Sequence, residues 1–234
     1  MNTGEYKRGA LNISFLKSIL MAGVLVLLGS SVAFAQVGLF PDTGEIVQWP
    51  PLVGSGAVYE MHFGDGDTDN GTMEVDVVGK ERVKGKDAFW IEITGGRIGR
   101  AKWVMKVLTA RDDASQPETI RWIFQAASHP PIEMPVTAQQ QKHDMPSPDD
   151  LGRETVAVPA GSFVCRRYRL KGRSAETWVS EKVVPWGLVK EQGTRKGRAY
   201  SMILLRTVTG AKDKITDTPQ PYNPKTMHPP QSEP

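Results

Sequence analysis

The sequence predicts an all-β protein: a mainly antiparallel, curved sheet built as a half-barrel or sandwich, with few helices. Three observations predict it. Between Ala57 and Thr209, short runs of alternating apolar and polar residues follow one another, punctuated by Gly, Pro, Asn and Asp. No stretch of a dozen residues keeps a 3.6-residue period free of Pro or Gly. Cys165 is the only cysteine, so no intramolecular disulfide can stand in for a packed core. Cys165 itself is expected as a small buried hydrophobe, with a reactive thiol or an intermolecular bridge as the alternatives.

The elements follow in order. Residues 1–35 read as a signal peptide. Lys7, Arg8 and Lys17 form a positive start, "ILMAGVLVLLG" a short apolar run, and "AFA" a small-x-small cleavage site after Ala35. The apolar run is shorter than a comfortable membrane span, so the expected location is the periplasm. Residues 36–56 are an irregular lead-in, and 57–212 a single antiparallel domain. "AVYEMHF" sets Tyr59, Met61 and Phe63 against Glu60 and His62; "TMEVDVV" sets Met73, Val75 and Val77 against Glu74 and Asp76. "ERVKGKDAFWIEIT" reads as two strands around Lys84-Gly85-Lys86-Asp87, with Trp90 and Glu92 opposite Phe89, Ile91 and Ile93. "AKWVMKVL" sets Trp103 and Met105 against Lys102 and Lys106, and "ETIRWIFQA" sets Trp122 and Phe124 against Arg121 and Gln125. A polar loop over 137–151 precedes "ETVAV", a Pro159-Ala160-Gly161 turn, "FVCRRYRL", "AETWVS", "WGLVKEQ" and "RAYSMILLRTV". Residues 213–234 hold six prolines and few aliphatic side chains, and are expected to be a disordered tail or to lie extended along the surface.

Between the first two strands lies "GDGDTDNGTMEVD", with Asp65, Asp67 and Asp69 spaced two apart. A calcium loop of the EF-hand type needs Gly at its sixth position, a bidentate Glu at its twelfth and flanking helices. Here those positions are Asn70 and Asp76, between alternating strands. Asn70-Gly71 reads instead as a hairpin signal, since both residues accept positive φ.

Charge narrows the function. The precursor carries 29 Lys and Arg against 26 Asp and Glu. Removing the three basic residues and one acidic residue of the leader leaves 26 against 25, a net charge of +1. A nearly neutral chain is poorly suited to nucleic acid, which is bound through clustered cations. His62, His129, His143 and His228 make no metal-ligand spacing, and no nucleophile elbow, phosphate loop or dinucleotide fingerprint occurs. No catalytic residue, metal or cofactor is expected, and the protein is not read as an enzyme. The basic run Arg166, Arg167, Arg169, Lys171 and Arg173 suits a solvated strand or a protected edge; contact with anionic headgroups or a partner is the alternative.

One face of the sheet is rich in large apolar groups: Tyr59, Met61, Phe63, Trp103, Met105, Trp122 and Phe124. An antiparallel sheet must cover such a face, and this chain has few helices to do so. If the sheet closes on itself, the seven residues are core; if it leaves a groove, they line a site for a lipid or other apolar ligand.

The segment "ETVAVPAGSFVCRRYRL…AETWVSEKVVPWGLVKEQ", residues 154–192, resembles a set of exported bacterial proteins that share an Ala-Gly-x-Phe-x-Cys hairpin followed by Trp-x-Ser and Val-Pro-x-Gly-Leu-Val-Lys. That set is similar in turn to the lipoprotein-carrier (LolA/LolB-like) half-barrels of the Gram-negative periplasm. The resemblance implies a curved antiparallel sheet around an apolar groove and carries over no catalytic residue. The expected function is therefore an exported periplasmic β protein that holds an apolar ligand or acyl chain. The alternative is a non-enzymatic envelope structural or interaction protein whose core is filled and whose surface and Pro-rich tail meet partners.

Overall fold

The computed structural model describes residues 50–64, 70–97, 102–111, 118–126, 129–136, 148–170, 174–195 and 197–224. These belong to one compact unit, Phe40–Pro224. Among them there is no helix, and twelve strands form one curved, unclosed sheet. The strands are β1 (Ser55–Phe63), β2 (Gly71–Val83), β3 (Lys86–Arg97), β4 (Trp103–Ala110), β5 (Glu118–Ala126), β6 (Ile132–Met134), β7 (Asp149–Val158), β8 (Gly161–Leu170), β9 (Ser174–Val179), β10 (Leu188–Arg195), β11 (Arg198–Thr209) and β12 (Gln220–Pro221). Their order across the sheet is β12-β6-β5-β4-β3-β2-β1-β11-β10-β9-β8-β7. Every pairing is antiparallel except the short parallel contact of β12 with β6. The sheet is thus two runs of hairpins joined through β1 and β11, a pairing of strands from opposite ends of the domain.

Turn chemistry explains most of the connections. β2 and β3 meet at a two-residue turn, Lys84-Gly85, with φ of 51° and 84°. Positive φ at both central positions matches the right-handed twist of the strands. Pro159-Ala160 links β7 to β8, where Val158 pairs with Gly161. The tip of this hairpin reaches back to β11, where the Ala160 N–H donates to the Leu204 carbonyl at 3.4 Å. Pro185, read from sequence as a break in a ladder, lies in the connection between β9 and β10 and follows a cis peptide bond.

Three features differ from the sequence reading. Gly71 is not a turn residue: it pairs with both Met61 and Arg97 inside the sheet. The β1–β2 connection is therefore longer than two residues, and Asp65, Asp67 and Asp69 lie outside the described residues. β7 begins at Asp149, inside the stretch expected as loop. Its residues from Gly152 onward pair with β8 after a bulge between Asp150 and Gly152. The run "TMEVDVVGKERV" is one long strand with a bulge at Val78, between Val77 and Gly79, not two strands.

Most of the core lies on one face of the sheet, with a smaller buried cluster of Ala88, Leu108 and Ala110 on the other. Ala57, Tyr59, Met73, Val75, Val77, Ile91, Ile93, Met105, Val107 and Leu204 are all buried. The connection between β9 and β10 adds Val183 and Trp186, and β10 adds Leu188 and Val189. Burying one such side chain stabilises by about 1.5–3 kcal/mol, so this face carries much of the fold. Cys165 is buried on β8, where desolvation pushes its thiol up to about 11, so it packs as a hydrophobe.

Candidate functional site

Strand register shows how the seven apolar residues singled out in the sequence are disposed. Tyr59 pairs with Met73, Met73 with Gly95, and Gly95 with Trp103. Met105 pairs with Phe124, and Val107 with Trp122. Cross-strand partners share a face, so Tyr59, Met61, Phe63, Trp103, Met105, Trp122 and Phe124 all lie on one side of β1–β5. They are not equally covered. Tyr59, Met105 and Trp122 are buried, whereas Met61, Phe63, Trp103 and Phe124 are half-buried.

The difference follows position along the strands. Phe63 and Met61 end β1, Trp103 begins β4, and Phe124 lies near the end of β5. Antiparallel pairing brings Met61, Phe63 and Trp103 toward one end of the sheet, where the half-buried Tyr200 of β11 pairs with Phe63, whereas Phe124 shares a row with the buried Ala57, Val75, Ile93 and Met105. At the other end, Ala57, Val77, Val107 and Leu204 are closed off from solvent. Trp103 is nonetheless seated. A Cβ on Gly95 would stand 2.3 Å from Cζ2 of its indole, so only glycine lets the ring lie against β3. Tyr59 is fixed as well: its hydroxyl donates to the Leu188 carbonyl at 3.2 Å, and burial raises its pKa. The apolar face is therefore closed at one end and half-open at the other.

The opposite face holds a feature that alternation did not reveal. Gly56, Asp76, Glu92, Lys106, Ile123 and Glu133 form one continuous row across β1–β6. Asp76, Glu92 and Lys106, read from sequence as members of the polar face, are buried. Their cover comes from residues 210–224, which run extended across this row. The Lys214 ammonium pairs with Asp76, and Lys106 with Asp213. Glu92 accepts the backbone N–H groups of Lys214, at 3.0 Å, and of Ile215, at 3.2 Å. Ile215 is buried beside them. Burial lifts the Glu92 carboxyl to about 7, helped by a hydrogen bond with the Asp213 carboxyl and opposed by the two backbone donors. Asp213 is lowered: burial works against its charge but is outweighed by Glu92 and Lys106. Asp76 is raised by burial against the pull of Lys214.

Further along the same face, on β8–β10, charges are arranged in the open. Glu176 takes Arg167 Nε at 3.1 Å and Arg169 at 3.0 Å, while Arg166 points the other way to Asp150 at 3.1 Å. The Trp178 ring sits between Lys190, 4.8 Å from its centroid, and Arg167, 5.1 Å away, and its Nε1 donates to Glu154. Three members of the basic run thus face carboxylates of this chain; Lys171 and Arg173 lie outside the described residues. A polar depression of about 610 Å³ opens nearby, lined by His62, Arg169, Glu176, Gln192, Tyr200 and Ser201 among others. His62 contacts Glu60 at 3.2 Å on this face. His129 follows β5 and is exposed; His143 and His228 lie outside the described residues. Among the described residues, no group of three or more His, Cys, Asp or Glu is arranged to hold a metal, and no helix is long and apolar enough to cross a membrane.

No protein-family model matches the chain, and no curated protein matches it. Solved structures similar to it include the following three. A protein of Bacteroides fragilis provisionally described as exported, with a YmcC-like fold, shares 11% identity at a TM-score of 0.43, over 69% of this chain and 99% of its own. A provisionally described lipoprotein of Parabacteroides distasonis shares 12% identity at a TM-score of 0.37, over 69% and 98% of the two chains. A chain of the MucA/MucB complex of Pseudomonas aeruginosa shares 11% identity at a TM-score of 0.33, over 68% of this chain and 52% of that one. With TM-scores below 0.5, none of the three fixes a family for this chain.

Proposed function

We propose that the protein is an exported, periplasmic β protein that takes an apolar ligand or acyl chain at the half-open end of its Tyr59 face. The signal-peptide pattern of residues 1–35 supports export. The observation that carries the ligand reading is the uneven cover of this face: Met61 and Phe63 at the end of β1, Trp103 at the start of β4 and Phe124 on β5 are half-exposed, beside the buried Tyr59, Met105 and Trp122. Large apolar groups left partly uncovered and side by side are the usual wall of an apolar site. The test is native mass spectrometry of protein prepared from a periplasmic extract without detergent. Mass increments of acyl-chain size that vanish in Phe63→Glu are expected. A bare polypeptide mass for the wild type overturns the reading.

A second reading, a non-enzymatic envelope structural or interaction protein with a filled core, is favoured by the full burial of Tyr59, Met105 and Trp122. The bare mass is the outcome it predicts. In this reading the surface and the Pro-rich tail meet partners, with residues 213–222 lying against the chain's own sheet on one side and largely exposed on the other.

A further inference from the structure

The segment after β11 crosses the sheet at right angles to the strands, and its contacts trace one row. It leaves β11 at Gly210, with φ of 72°, and the Ala211 N–H donates to the Gly54 carbonyl at 2.9 Å. It then passes over Asp76, Glu92 and Lys106 through Asp213, Lys214 and Ile215. It ends at β6, where Gln220 N–H donates to Pro131 and Tyr222 N–H to Glu133, at 2.9 and 3.0 Å. Gly54 is next to the strand that starts the row, and Glu133 is the row's last member. The strap thus spans six strands and is held at both ends by the backbone and in the middle by charge.

The middle holds more acid than base. Asp76, Glu92, Asp213 and Glu74, the last 3.7 Å from Lys214, contribute four negative charges when ionised, Lys106 and Lys214 two positive ones, for a sum of −2. Glu92 is the fully buried member, whereas the Asp213 side chain is 39% and that of Glu74 29% exposed. A proton taken up here lowers the excess of negative charge. β5 contributes only the uncharged Ile123 to this row. Along β3 itself, Thr94 is uncharged, and its hydroxyl is buried without a hydrogen-bond partner among the described residues. Glu92 Oε1 and Asp213 Oδ1 both accept the Ile215 N–H, at 3.2 and 3.0 Å, and two neighbouring carboxyls of which one is fully buried cannot both ionise cheaply.

We infer that residues 211–222 form a proton-held latch. A proton shared by the Glu92 and Asp213 carboxyls keeps the strap docked across the row. Its loss lets the strap lift, uncovering the Glu92 face and freeing the backbone edge of β6. This device lies on the face opposite the ligand reading and does not depend on it. The sign follows from the docked state. Glu92 holds its proton up to about pH 7 when docked, against an ordinary value of 4.5. The docked state therefore binds the proton more tightly than the open one. Proton-linked docking is fully present below about pH 4.5 and is lost as pH rises through 7. The docking equilibrium should weaken on the order of 100-fold between pH 5 and pH 8.

Hydrogen exchange of the full chain at pH 5, 6.5 and 8, corrected for the intrinsic pH dependence of exchange, reads this directly. Protection at the amides of Lys214, Ile215, Gln220 and Tyr222 is expected to fall with rising pH, while amides paired within β3 and β4 hold theirs. Glu92→Gln keeps a carbonyl to accept the strap's N–H groups and a neutral donor for Asp213, so its strap protection should stay flat across the range. Wild-type strap protection that does not change from pH 5 to pH 8 overturns the latch, as does a Glu92→Gln chain that loses protection like the wild type. Should Glu92→Gln not fold, Asp213→Asn, on the more exposed side of the pair, carries the same expectation and the same refutation.

Discussion

One face of the sheet carries two charged clusters of similar composition and opposite fate. Over β2–β4, Asp76, Glu92 and Lys106 are buried beneath the strap, with the Asp76 side chain 2% and the Lys106 side chain 9% exposed. Over β8–β10, Glu176, Arg167 and Arg169 pair just as closely, yet Arg169 is 57% exposed. The residues differ little; what differs is the cover. Water screens the second cluster and lets its members rearrange. Under the strap, each charge depends on a specific neighbour, because an ion taken out of water is costly to leave unpaired. A salt bridge is therefore informative about stability only together with what lies above it.

Three substitutions sharpen this contrast, from the largest effect to the smallest. Lys106→Met removes the cation that faces Asp213 and stacks 5.0 Å from the Trp90 ring. It leaves buried carboxyls uncompensated and should cost about 3 kcal/mol in urea unfolding at pH 7; a loss below about 1 kcal/mol would mean the strapped cluster behaves like the open one. Gly56→Ala tests how tightly the row is packed. A Cβ there would meet Asp76 Oδ1 at 2.0 Å and the Val75 carbonyl oxygen at 2.8 Å, and the latter is backbone. A loss of about 1–3 kcal/mol is expected, with the strap amides exchanging faster than in the wild type. Arg169→Gln on the open cluster leaves Glu176 still paired with Arg167, and its unfolding midpoint should move by the equivalent of less than about 1 kcal/mol.

How much of this was legible in the sequence differs between the faces. Period-two alternation identified the strands and put Tyr59, Met61, Phe63, Trp103, Met105, Trp122 and Phe124 on one side, because adjacent strands in register hold a face in common. Alternation does not say where along a strand cover ends, so the split between buried Tyr59 and half-buried Phe63 was invisible. On the other face, Glu92 and Lys106 looked solvated because they are charged and alternate with apolar residues along their strands. The groups that bury them, Asp213 to Ile215, lie more than 100 residues away, in a segment whose prolines suggest disorder. The one local hint was Gly56, a glycine inside a strand, which marks a close approach by another group. The same kind of hint, Gly95 beneath Trp103, was present on the apolar face.

The two ends of this open sheet bear on how the chain behaves in a crowded solution. An unclosed sheet offers a backbone edge at each side, and an unguarded edge recruits strands from other molecules. At the β7 side, Asp149, Asp150, Arg153 and Glu154 and a bulge at Gly152 make the edge charged and uneven. At the β6 side the guard is a segment of the chain itself: Gln220 and Pro221 occupy the edge, and Pro221 has no N–H to donate onward. Cutting the polypeptide before Asp213 would remove that stopper and leave the three residues of β6 as a bare border, open to strands from other copies.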